Sequence, residues 1–171
     1  METALKDKSN IVLKKSIKIN LEDYKFRSWE FFSYKDILKE DFDKNDTTQL
    51  EELLEKIKSS KPDFTEWTEN EIRNRILVEP NESIKLKAGL KKIKWTTKTE
   101  KKSIKKEIRE YNKHSKLWPR YPIALSRPVY SESGNYAIIE LINGGSTGKV
   151  FLFKKTDDKW KVVADLKSLV Y

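Results

Sequence analysis

No cysteine occurs in the 171 residues, which excludes disulfides, thiolate catalysis and cysteine-ligated zinc but leaves the compartment open. His114 is the single histidine, so metal sites built from several histidines are excluded and any Ser-His-Asp triad would depend on it. It sits in the polar stretch YNKHSK and reads as a surface residue. The serines in LSRP and YSES lack the neighbours of a nucleophile elbow. No apolar run approaches the roughly 18 residues that span a bilayer. The opening residues METALKDKSN hold no apolar core of a signal peptide. The expectation is an exported or cell-envelope protein whose leader has been removed, ahead of a cytoplasmic one.

Only five glycines are present, and three of them fall in LINGGSTGK, residues 141 to 149. A phosphate-binding loop needs glycine, four residues, then Gly-Lys-Ser/Thr, with a helix following so that its amides meet the anion. Here Asn143 stands at the first glycine position, Val150 at the hydroxyl position, and VFLF follows as a strand. The loop therefore reads as a hairpin crossing. A second decoy runs from Asp41 to Glu52, with oxygen ligands at calcium-loop positions 1, 3, 5 and 12 but Asp46 where the sharp turn needs glycine. These acids read as helix N-terminal decoration. No catalytic residue, metal or cofactor is assigned, although a carboxylate-pair hydrolase stays open because spatial separations are invisible in sequence.

Charge is what the chain has in excess. The net charge is +9, and the stretch from Lys85 to Arg120 alone carries 14 basic and three acidic residues, so the remainder nets −2. Such localisation points to an anionic partner. Only six of the 36 basic residues are Arg, the side chain suited to bidentate base or phosphate recognition, so a solubilising lysine face competes with nucleic-acid binding. The candidate binding residues are Lys101, Lys102, Lys105, Lys106 and Arg109 on one helix, followed by Trp118, Arg120, Tyr121 and Arg127, which could form a stacking and charge platform. Packing of these aromatics in the core is the competing reading.

The chain reads as a single α+β domain: residues 1–10 flexible, 11–117 mainly helical, 118–171 a β-meander. Ile11 to Leu21 alternates at Ile17, Ile19 and Leu21 as a strand, and the aromatics of Tyr24 to Tyr34 read as packing material. Asp46 and Thr47 open a helix with Leu50, Leu53, Leu54 and Ile57 on one stripe. Thr68 with Glu71 predicts a short helix through Ile72 and Ile76, closed by Pro80 and Asn81. A third helix is predicted over Thr99 to Asn112, with Ile104, Ile108 and Tyr111 inward. Pro119, Pro122 and Pro128 rule out a helix afterwards, and four strands follow: Leu125 to Tyr130, Tyr136 to Ile142, Val150 to Lys154 and Trp160 to Ala164. Helices first and hairpins last predict an N-terminal strand and helices packed on one face of a C-terminal antiparallel sheet.

The C-terminal texture, Leu125 to Tyr130, Gly134, Ala137, Gly144, Gly145, Lys154, Lys155, Trp160 and Lys161, resembles small uncharacterised exported or lipoprotein-like proteins of Bacteroidetes-type bacteria. The resemblance implies an export setting and brings no activity with it. A propeller blade shares part of this texture, but the chain holds no second copy. The functional expectation is a non-catalytic binding or interaction module for a protein or polyanionic surface. A nucleic-acid or polyanion binder acting through residues 85–120 is the alternative, and a hydrolase the third reading.

Overall fold

The computed structural model describes residues 9–19, 44–59, 61, 63–94, 96–114, 122–144 and 147–170. Among them are three helices and seven strands in an α+β arrangement. They are β1 (Ile11–Leu13), α1 (Lys44–Ser59), β2 (Ile76–Val78), α2 (Leu86–Lys92), α3 (Lys98–His114), β3 (Ile123–Leu125), β4 (Val129–Tyr130), β5 (Tyr136–Asn143), β6 (Thr147–Thr156) and β7 (Lys159–Val170). The sheet order is β2-β1-β3-β5-β6-β7, with β4 also paired to β5. Pairing is antiparallel from β3 onward and parallel at β1–β2 and β1–β3.

Alternation along β5 divides the core. Ala137, Ile139 and Leu141 face a cluster with Val12, Ile123, Leu125 and Phe153, covered by Trp67 and Ile72. Tyr136 and Ile138 face the other side, where Leu50, Leu53, Leu54 and Ile57 of α1 pack on them. Further along that second side, Ile142 meets the cluster of Ile104, Ile108 and Tyr111 from α3 with Ile11, Leu13, Ile76 and Val78. All three described helices thus lie on one face, as the sequence order predicts. α2 approaches closely because Gly89 has no side chain: a Cβ there would lie 2.8 Å from Ile84 Cγ2 and 3.1 Å from Ile108 Cδ1.

The turns follow from local chemistry. Asp157 and Asp158, with φ of 51° and 57°, make the tight β6–β7 turn. Gly134 (φ 70°) sits in the β4–β5 turn, and Gly144 (φ 61°) follows Asn143 where it pairs with Thr147. The glycine stretch is thus a hairpin connection whose far side continues as strand.

Several boundaries differ from the expectation: β6 and β7 are longer than predicted, β7 running to Val170 instead of Ala164, and three other differences have a local cause. The N-terminal strand is Ile11–Leu13, buried on both faces, and Ile17 makes only an isolated bridge to Ser126. A strand between two neighbours with both faces covered is apolar throughout, so alternation further along pointed to the wrong residues. Thr68 and Glu71 do bond to one another, Thr68 N–H and Oγ1 both donating to Glu71 Oε2 at 2.9 and 2.8 Å. They close only a turn, because Asn74 adopts φ 54° and Ile76–Val78 is taken up as a parallel strand beside β1. The expected strand Leu125 to Tyr130 is split into β3 and β4, since Pro128 offers no N–H to the ladder. Leu21 and the aromatics of Tyr24 to Tyr34 lie outside the described residues.

Replacing Gly89 with Val should destabilise the protein by about 2 kcal/mol, because the new methyls collide with Ile84 and Ile108. Urea unfolding of the variant beside the parent checks this.

Candidate functional site

α3 begins on a capping box that the sequence holds at Thr97-Lys98-Thr99-Glu100. Thr97 N–H donates to Glu100 Oε2 at 2.6 Å, and Glu100 N–H donates to Thr97 Oγ1 at 3.2 Å. Its inward stripe is Ile104, Ile108 and Tyr111. Lys101, Lys102, Lys105, Lys106 and Arg109 all lie exposed on the outer side. Of these five, only Lys106 has an ion-pair partner among the described residues, Glu110 at 3.7 Å. On and around α2, Lys85, Lys87, Lys91 and Lys94 are also exposed without an ion pair among the described residues, while Lys92 meets Glu69 at 2.6 Å.

The three acids of this region are turned to internal use. Glu100 caps the helix, which also lowers its pKa through the Thr97 amide. Glu107 accepts from Asn10 N–H at 2.8 Å and from Asn10 Nδ2 at 3.0 Å, tying α3 to the start of β1. Glu110 lies against Lys106. Asn112 clasps the chain before α2, donating to Ile84 O and accepting from Ile84 N–H, both at 2.8 Å. The surface therefore keeps its cations while its anions are spent on architecture.

Arg127 is placed differently from the expectation. Its guanidinium stacks 4.0 Å above the Trp67 ring, and its nitrogens donate to Thr65 Oγ1 at 2.9 Å, to the Glu66 carbonyl and to the Glu71 carboxylate. Trp67 Nε1 in turn donates to Leu125 O at 3.3 Å. Arg127 is a clamp holding the segment 65–71 over the sheet, and its donors are already engaged. Trp118, Arg120 and Tyr121 lie outside the described residues.

Among the described residues, two clefts open on the surface. One, of about 440 Å³, has Trp67 and Leu77 in its lining with Glu66, Glu69, Glu79 and Glu82 around them. Lys14 Nζ sits between Glu66 (2.6 Å) and Glu79 (3.4 Å), Lys92 holds Glu69, and Glu82 accepts from Glu79 N–H at 2.9 Å. Each of these carboxylates is occupied. The other cleft, of about 300 Å³, collects Lys18, Lys56, Lys61 and Arg127 beside β4. These residues come from four separate stretches, so no local sequence signal announces the cleft.

His114 is exposed at the end of α3. Asp46 lies in the first turn of α1, 2.7 Å from Lys154 Nζ. Burial works against its charge, yet the hydrogen bond from Lys154 holds its pKa below the usual value, and the same bond raises that of Lys154. Because Asp46 to Glu52 is already helix, the calcium-loop pattern has no loop to act in. No group of three or more His, Cys, Asp or Glu among the described residues is placed to hold a metal ion. No described helix is long and apolar enough to cross a membrane. No family model, curated protein or solved structure matches the chain.

The Arg127 hydrogen bond, aided by the Thr68 amide, holds Glu71 at about 2, below its ordinary value of 4.5. A depressed carboxylate stabilises the fold fully above its unfolded-state pKa and loses that contribution as pH falls through the folded one. Stability should therefore fall between about pH 4.5 and 2 in the parent, with a shallower slope in Glu71→Gln. Urea midpoints measured across that range decide it.

Proposed function

We propose that this protein is a non-catalytic binding module that docks a polyanionic surface through the outer sides of α2 and α3. The observation that carries this reading is the row of exposed basic side chains without ion pairs among the described residues, Lys101, Lys102, Lys105 and Arg109 among them, set beside Glu100 and Glu107, which are committed to the helix cap and to Asn10, while Glu110 offsets only Lys106. Side chains three and four apart on a helix are neighbours, so these cations form one continuous patch. They repel one another in the free protein, and an opposing array of anions relieves that repulsion.

The chemistry favours a diffuse surface over sequence readout. Lysine is a compact hydrated charge without the fork that reads a guanine edge, and Arg109 is the one arginine in the patch. The export setting implied by the C-terminal resemblance fits, because anionic lipid headgroups attract clustered lysines at roughly 1 kcal/mol each. Nucleic acid is the competing polyanion.

Sedimentation with phosphatidylglycerol vesicles should show binding that weakens steeply with salt and is absent from phosphatidylcholine vesicles. Lys101→Ala/Lys105→Ala should weaken it about 30-fold. Binding that ignores either the salt or the double substitution would sink the proposal. Duplex DNA bound with a steep salt slope, and no vesicle binding, would transfer the patch to nucleic acid.

A further inference from the structure

The second cleft borders the outer edge of β4. Ile17 N–H donates to Leu125 O at 3.0 Å and Ile17 bridges Ser126 in parallel. Past that bridge no further pairing joins the two stretches among the described residues, and Lys18 and Tyr130 both line the cleft of about 300 Å³. Val129 pairs with Ile138, and Ser131 N–H reaches Tyr136 O at 3.0 Å. In an antiparallel ladder these bonds alternate, so the N–H and C=O of Tyr130 between them both turn away from β5. Its carbonyl meets Lys56 Nζ at 3.0 Å, where a neighbouring strand would otherwise sit.

We propose that this edge takes an extended acidic segment of a partner protein by strand addition. The Tyr130 N–H offers a donor, and its carbonyl, which already accepts from Lys56 Nζ, keeps a second lone pair beside it for another extended chain. A phosphate, having only acceptor oxygens toward it, does not complement both. Charge selects the segment's side chains: Lys18 and Lys61 are exposed without an ion pair among the described residues, and Lys56 flanks the edge. Asp63 is the one carboxylate among the described residues of the lining, and it accepts the Thr65 N–H at 2.9 Å. The Tyr130 ring, 45 % exposed, offers apolar contact to alternate residues of the incoming strand. Main-chain bonds would give affinity, and the lysines the preference for Asp and Glu. The site is separate from the α3 patch and does not depend on that reading.

The test uses a fluorescein-labelled octapeptide of alternating glutamate and valine, read by anisotropy, with a glutamine–valine peptide beside it. The proposal expects the acidic peptide to bind and the neutral one to bind at least about tenfold more weakly. Lys18→Glu/Lys61→Glu should cost at least about tenfold, and Lys101→Ala/Lys105→Ala should change nothing. If the reversed variant melts early, Lys18→Gln/Lys61→Gln replaces it with the same direction expected. Hydrogen exchange at the Tyr130 amide should slow when the acidic peptide is present. No binding, equal binding of both peptides, loss on the α3 variant, or an unprotected Tyr130 amide would each overturn the proposal.

Discussion

Every part of the described core touches β5. Its eight residues pair with β3 and β4 along one side and with β6 along the other. Its alternate side chains enter three clusters: one with α1, one with α2 and α3, one with Trp67. A shift of one residue would send Ile139 and Leu141 to the helix face and Tyr136 and Ile138 away from it, so no cluster survives a slip. This single register sets where the helices sit and hence where the charged surfaces lie.

Arg127 adds the second constraint, on the face without described helices. The turn-rich segment from Asp63 to Arg75 has too few apolar residues to bury itself, with Trp67 and Ile72 as its anchors. The guanidinium stack and the bonds to Thr65, Glu66 and Glu71 fix that segment where packing alone is thin. An arginine that looked like an anion ligand is spent on holding a loop. Surface lysines lack that planar fork.

The sequence carried the helix stripes and the meander plainly, since both follow from short-range periodicity. Leu50 to Ile57 and Ile104 to Tyr111 fell on the faces their spacing dictates. The capping box Thr97–Glu100 is equally local in the sequence. β2 was unreadable: Ile76–Val78 is a strand only because β1 lies beside it, 65 residues away in register. The basic patch could be read as composition, but whether its lysines were paired depended on Glu107 reaching back to Asn10. The cleft beside β4 had no local trace, because its walls come from stretches that only the fold assembles.

The position of β1 has a kinetic meaning. It lies between β2 and β3, so one flank closes with Ile76 and the other only when Ile123 arrives. A chain emerging from its N-terminus must hold three strongly apolar residues without their full set of partners while more than half of the sequence is made. Such long closures slow folding and leave unsatisfied edges in the meantime. The short length of β1 limits that liability, since three residues offer little template for wrong pairing.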